Sequence, residues 1–260
     1  MSVELPEFSN GGWCSQLSTE YLSTMNWNAL IDVGPGVVNS EAWVFKDYFD
    51  RLTVFGFEPS VVRYDNIKDS YPGELYPHAV SSHTGILHGL MGNDDEQQSQ
   101  FYSLPRDGEE QLMNDTVTCV TVDNICSQLP ENLKALLWLD AEGAEFDIIR
   151  GAVKSILAGK IIGMNVEINF SNNFLGKSRW PRWEETFIFL QHLGFVALGC
   201  SDSNATTSYF PGEESKPEEF RQQYLSTYNL SAPTNDQADV FFIYDPLSAW
   251  KLPAKYFKVT

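Results

Sequence analysis

Carboxylates that directly follow or punctuate apolar runs are the residues of this chain with the most chemistry in them. Asp32 lies within Leu30-Ile-Asp-Val33 ahead of a Gly34-Pro-Gly36 turn, and Glu58 closes the run Thr53-Val-Phe-Gly-Phe57. Asp140 and Glu142 follow Leu136-Leu-Trp-Leu139, and Glu167 ends Ile161-Ile-Gly-Met-Asn-Val166. A carboxylate at a strand end can accept hydrogen bonds from both hydroxyls of a ribose, take a proton from an attacking hydroxyl, or ligate a hard cation. A turn such as Gly34-Pro-Gly36 before a helix aims backbone N–H groups and the positive end of a helix dipole at a ligand, which suits an anionic or polar small molecule.

The elements that must position these groups are legible as periodic runs. Leu30, Ile31 and Val33 predict a strand, and Phe45, Tyr48, Phe49 and Leu52 predict a helix beginning near Ser40 or Glu41. A second strand ends at Glu58, and Glu74-Leu-Tyr-Pro-His-Ala-Val-Ser81 reads as a third, with Pro77 implying an edge or a bulge. Gly85 to Met91 and Gln100 to Leu104 flank an acidic turn and read as a hairpin, and Val117-Thr-Cys-Val-Thr-Val122 reads as another strand. The continuous run Leu136 to Leu139 predicts a strand buried on both faces. One helix is expected after it, burying Phe146, Ile149, Val153, Ile156 and Leu157 before Gly159 stops it. Ile161 to Glu167 is the next strand, followed by a helix from Glu184 to Leu193, a strand from Phe195 to Leu198 and a final strand from Val240 to Tyr244. Strands alternating with helices at this spacing predict an α/β fold with a doubly wound, mostly parallel sheet. In such sheets ligands sit at the carboxyl ends of the strands where the strand order reverses, so Gly34, Gly36, Glu58, Asp140, Glu142 and Glu167 are expected to line one crevice.

Domain organisation follows from the same pass. Residues 1–26 are polar and irregular and are read as a cover segment; 27–260 are read as one domain carrying a hairpin insertion at about 85–105 and a lid-like insertion at about 200–236. Trp180, Trp183, Phe220 and Tyr224 are candidates for an aromatic wall beneath that lid, or for core packing. The 260 residues carry 43% hydrophobic and 20% charged side chains, which is a globular composition. A formal charge of -18 disfavours nucleic acid and anionic membrane surfaces, both of which select basic patches. Four cysteines without close pairing indicate neither a zinc site nor a disulfide framework. The N-terminus lacks a signal-peptide pattern and no run reaches membrane-spanning length, so a cytoplasmic protein with no membrane span is expected.

The motifs Asp32-Val-Gly-Pro-Gly36, Gly56-Phe-Glu-Pro59, His78-Ala-Val-Ser81, Val120-Thr-Val-Asp123, Leu139-Asp-Ala-Glu-Gly-Ala-Glu145, Arg150-Gly-Ala152 and Asn165-Val-Glu-Ile168 together resemble the FkbM-type family of S-adenosylmethionine-dependent methyltransferases. The resemblance implies a seven-stranded, Rossmann-like methyltransferase sheet with an antiparallel last strand, for which Val240 to Tyr244 is the candidate. It also implies that Asp32, Gly34 and Gly36 lie at the methionine end of S-adenosylmethionine, Glu58 on its ribose and the backbone near Ala79 beside its adenine. Val38 and Trp138 depart from the family, which usually has a glycine and often a lysine at those positions. The activity implied is O-methylation of a sugar, glycan or other small metabolite.

For a hydroxyl nucleophile, methyl transfer needs positioning and a proton acceptor or a metal, and Asp140 and Glu142 are the candidates for catalysis. The same residues have a structural use, with Asp140 capping the following helix and Glu142 and Glu145 at its positive end. Asp140, Glu142 and Glu167 are the candidate oxygen ligands for Mg²⁺ or Ca²⁺. His78 and His83 are expected near the adenine edge, as bases or as surface histidines. Two further readings stand beside this one: a nicotinamide-dependent oxidoreductase, since a glycine turn plus Glu58 also suits a dinucleotide, and a non-catalytic binding module on the same fold.

Overall fold

A computed structural model of the protein describes residues 27–36, 52–90, 100–102, 115–141, 143–169, 183–202 and 237–246. The expected helix after Ser40, the segment 1–26, Glu142, Trp180, and the bulk of the 200–236 insertion with Phe220 and Tyr224 lie outside the described residues. In chain order the described elements begin with β1 (Ala29–Val33), β2 (Thr53–Phe57), α1 (Val61–Ile67), β3 (Glu74–Tyr76), β4 (Ala79–Val80), β5 (Gly85–Leu90), β6 (Gln100–Tyr102) and β7 (Asp115–Val120). There follow α2 (Val122–Ser127), β8 (Ala135–Leu139), α3 (Glu145–Arg150), α4 (Val153–Leu157), β9 (Ile161–Asn169), α5 (Trp183–His192), β10 (Phe195–Asp202) and β11 (Gln237–Tyr244). The chain divides into two compact units, Asn26–Met164, and Met1–Met25 with Asn165–Thr260.

In the first unit β1 lies between β2 and β8 and is parallel to both, and β3 adds in parallel to β2. All five residues of β1 and all five of β8 are buried, as expected of strands covered on both faces. Leu30, Ile31, Leu136, Leu137 and Leu139 are each at most 1% exposed. Each such side chain contributes roughly 1.5–3 kcal/mol by leaving water, so the two central strands form the rigid platform of this unit. In the second unit β11 runs antiparallel to β10, from Phe195 opposite Tyr244 to Asp202 opposite Ala238. Phe187 meets Phe242 edge-on at 5.0 Å, which seats α5 on this pair. Within the first unit the hydrogen-bonded order is therefore β8-β1-β2-β3. The α/β class, the mostly parallel sheet and the antiparallel last strand are therefore as the sequence predicts.

Three local expectations are corrected. The third strand, expected as one element over Glu74 to Ser81, is two: β3 ends the main sheet, while β4 enters a second sheet of order β4-β7-β5-β6. Pro77 stands at the break, where its fixed φ and missing N–H cannot continue a ladder. The strand expected through Val122 stops at Val120, because the Thr121 hydroxyl accepts from the Asn124 N–H at 2.9 Å and caps α2.

The single helix expected after Asp140 is also two, with Leu157 67% exposed rather than buried. The interruption at Gly151 has a tertiary cause. A Cβ built there would lie 2.2 Å from the Ser81 carbonyl oxygen, and the Gly151 carbonyl accepts from the Asp123 N–H at 2.8 Å. The Asp123 carboxylate then accepts from the Lys154 and Ser155 N–H groups and the Ser155 hydroxyl, at 3.2, 2.7 and 2.7 Å, capping α4 from 31 and 32 residues away. Ser81 in turn donates its N–H to the Val120 carbonyl at 2.9 Å. The motifs around Ser81, Val120 to Asp123, and Arg150 to Ala152 thus form one knot that ties the second sheet to α3 and α4. Asp123→Ala is expected to destabilise the protein by about 2 kcal/mol, since a helix cap and hydrogen bonds to a charge are lost together. Urea titration followed by circular dichroism checks this, and an unchanged midpoint would contradict it.

Candidate functional site

The strand order reverses at β1, whose neighbours are β2 on one side and β8 on the other. Their carboxyl ends are laced together just beyond the sheet. Gly34 donates its N–H to the Phe57 carbonyl at 3.1 Å, and Asp140 donates its N–H to the Val33 carbonyl at 3.1 Å. Gly34 has φ +84°, and a Cβ on it would lie 1.8 Å from the Asp140 carbonyl oxygen. This glycine is required by close approach of two backbones as well as by its left-handed conformation. Its N–H is consumed inside the protein and is not among the donors the turn can aim at a ligand. Gly36 differs: at φ +70° a Cβ on it would meet no atom within 4 Å among the described residues.

Glu58 stands at the end of β2, 2% exposed. Its Oε1 accepts the Ser60 N–H at 2.8 Å, and Ser60 also caps α1 by accepting the Arg63 N–H at 3.4 Å. Burial pushes the Glu58 carboxyl up to about 7, against the opposing pull of the Ser60 N–H, the Arg63 guanidinium and the Gly36 N–H; the Asp32 charge adds to the rise. Glu58 and the Gly36 turn are therefore electrostatic neighbours.

Asp32 is buried inside β1 between its register partners Gly56 and Trp138. Its Oδ2 accepts a hydrogen bond from the Tyr71 hydroxyl at 2.7 Å. Burial and the facing Asp32 charge push the phenol far above its ordinary range, so Tyr71 acts as a fixed donor. Nothing in the local sequence signals this partner, which lies 39 residues further along the chain.

The block after β8 is organised by a residue that sequence reasoning had placed only at the positive end of a helix. Glu145, 6% exposed, turns back and accepts the N–H groups of Ala141 and Gly143, both at 2.9 Å, on Oε1. Its burial pushes the carboxyl up to about 7, the loop N–H groups opposing and Asp140 adding to the rise. Gly143 at φ +98° lets the loop close around that carboxylate. Asp140 does not cap the following helix; the N-cap position of α3 is Ala144, which makes no side-chain cap. The Asp140 side chain is exposed to solvent, yet enough protein surrounds it to raise its carboxyl, with Arg63 pulling the other way.

The remaining candidates are placed as follows. Ala79 lies in β4, its side chain packed with Leu87, Val117 and Cys119 in the core of the second sheet. His83 is exposed and sits 4.0 Å from the Cys119 sulfur. Glu167 lies on β9 in the other unit and Glu142 lies outside the described residues. Among the described residues no group of three or more His, Cys, Asp or Glu is arranged to hold a metal ion, so the Mg²⁺ expectation has no support in the geometry. Among them, too, no helix is long and apolar enough to cross a membrane.

Several solved structures are similar to this chain at low identity. The precorrin-6y C5,15-methyltransferase from Geobacter metallireducens shares 8% identity over 88% of this chain and 86% of its own, with a TM-score of 0.42. The StiE O-methyltransferase region shares 9% over 93% and 78%, with a TM-score of 0.45. The O-methyltransferase from a trans-AT polyketide synthase multienzyme of Brevibacillus brevis, in complex with S-adenosyl-L-homocysteine, shares 10% over 87% and 70%, with a TM-score of 0.42. Likenesses this distant carry no information about what this chain does. No curated protein matches it. The family model described as the methyltransferase FkbM domain, by contrast, matches residues 35–197. That span exceeds half of the chain and contains Glu58, the Asp123 knot and the Glu145 loop, and by it the protein belongs to the FkbM methyltransferase domain family.

Proposed function

We propose that this protein is an S-adenosylmethionine-dependent O-methyltransferase acting on a hydroxyl of a sugar, glycan or other small metabolite. The observation that carries the reading is the buried Glu58 carboxylate, set beside the Gly36 turn at the point where the strand order reverses. Glu58 keeps acceptor capacity beyond the Ser60 bond and would receive the ribose hydroxyls. Gly36, without a side chain, leaves room for the methionine portion. Asp32 supplies negative charge at the same strand ends and would face the cofactor's positive groups. When bound, S-adenosylmethionine supplies a methyl group on a positively charged sulfur.

What this chain adds is positioning and proton transfer. An acceptor hydroxyl becomes a better nucleophile as its proton leaves, and Asp140, open to solvent at the end of β8, is the group assigned to receive it. Its raised carboxyl makes it a stronger base than an ordinary surface aspartate. The net charge of -18 favours a neutral acceptor over nucleic acid. Family membership supports this reading over the nicotinamide-dependent one.

Calorimetric titration with S-adenosylmethionine, S-adenosylhomocysteine and NADH in parallel tests it. Micromolar binding of the first two without the third is expected. Binding of NADH alone would overturn the reading, and cofactor binding without transfer to any acceptor hydroxyl would favour a non-catalytic module.

A further inference from the structure

Gly56 in β2 and Tyr71, in the loop between α1 and β3, form a fitted pair. A Cβ on Gly56 would lie 2.5 Å from Tyr71 Cζ and 2.7 Å from Cε1, so the ring occupies the space where any other residue would carry a side chain. Gly56 is the register partner of Asp32 on the neighbouring strand. By lying over Gly56, the ring brings its hydroxyl within 2.7 Å of Asp32 Oδ2. Tyr71 is 7% exposed and Asp32 2%, so the bond is shielded from competing water.

We propose that Tyr71 is a positioning residue for the cofactor pocket, which acts by fixing the Asp32 carboxylate in place and in its ionised form at the head of the Gly34–Gly36 turn. The inference rests on the reading of this crevice as the S-adenosylmethionine site. A buried carboxylate is an acceptor when ionised, and a donor held at 2.7 Å favours that state and one rotamer. Tyr71 itself need touch no ligand.

The decisive variants are Tyr71→Phe, which keeps the ring against Gly56 and removes only the hydroxyl, Asp32→Asn, and the two combined. Affinity for S-adenosylmethionine and S-adenosylhomocysteine is measured from pH 5.5 to 8.5, with thermal unfolding of each variant by circular dichroism. Y71F is expected to bind about tenfold more weakly near neutral pH and to lose binding at a higher pH than wild type on acidification, because Asp32 then takes up a proton more readily. In the D32N background Y71F is expected to add little further loss, since both changes act on one bond. Unchanged affinity and pH profile in Y71F would overturn the proposal, and so would losses that simply add. A Y71F chain that fails to fold would also overturn it, by making the hydroxyl a structural requirement. If wild type binds neither probe, the cofactor reading itself falls and takes this role with it; if wild type binds and Y71F matches it, only the role of Tyr71 falls.

Discussion

Replacing Gly34 by alanine is expected to destabilise the protein by roughly 2–5 kcal/mol and to abolish cofactor binding. Two costs combine: a left-handed backbone at φ +84°, worth about 1–2 kcal/mol, and an overpacking clash of about 1–3 kcal/mol or more. The clash cannot be relieved cheaply, because the atom 1.8 Å from the new Cβ is the Asp140 carbonyl oxygen, part of the backbone rather than the tip of a flexible side chain. Moving it would pull on the Asp140 N–H bond to Val33 and on the loop folded around Glu145. Gly36→Ala provides the contrast. Its φ of +70° carries the conformational cost, but the space above it is open among the described residues, so a loss near 1 kcal/mol is expected. Urea unfolding of both variants decides the matter; a Gly34→Ala protein as stable as Gly36→Ala would refute the account of this turn.

A second large effect belongs to Glu58. Its carboxyl moves from an ordinary 4.5 to about 7 on folding, so the folded state holds a proton that the unfolded state has released. Stability is therefore greatest below pH 4.5 as far as this group is concerned, and it falls as pH rises through about 7. The full difference for one such group is about 3 kcal/mol, from about 1.4 kcal/mol per pKa unit. Glu145, raised to about 7 by its own burial, adds in the same direction. Ribose recognition needs the opposite state, the ionised carboxylate that accepts from two hydroxyls. Cofactor affinity is thus expected to rise from pH 6 to 8 while the stability of the free protein declines over the same interval. Glu58→Gln is expected to weaken S-adenosylmethionine binding by about 1.5–3 kcal/mol at pH 8, to flatten the affinity profile and to raise the stability of the free protein. Parallel calorimetry and urea titrations at pH 6, 7 and 8 test this. An affinity profile in E58Q that still climbs as steeply as in wild type would remove Glu58 from the ribose.

The two effects differ in kind. Gly34 is a matter of excluded volume, indifferent to pH, whereas Glu58 is a titratable carboxyl buried away from water. A site built from both tolerates little substitution at its turn but can respond to proton concentration at its rim.

Much of this arrangement was legible in the sequence because it rests on short-range rules. Apolar runs marked β1 and β8 as strands, the continuous one at β8 as buried on both faces, and carboxylates after the runs of β2 and β8 marked the carboxyl ends of the sheet. The motifs spread from Asp32 to Ile168 carried the family resemblance, which the match over residues 35–197 bears out. What escaped is what depends on partners distant along the chain. The split between α3 and α4 requires Ser81 and Asp123 to reach Gly151 and Ser155, and no period in the helix itself records them. Nothing around Tyr71 points to Asp32, because it is Gly56, on another element, that gives the ring passage to that carboxylate. Glu145 carried a charge suited to a helix start, but only the fold closes a loop around it and raises its carboxyl. Local propensity and periodicity are properties of neighbouring residues and so are written in the sequence; burial, close backbone approach and the field at a carboxylate are sums over atoms that only folding brings together.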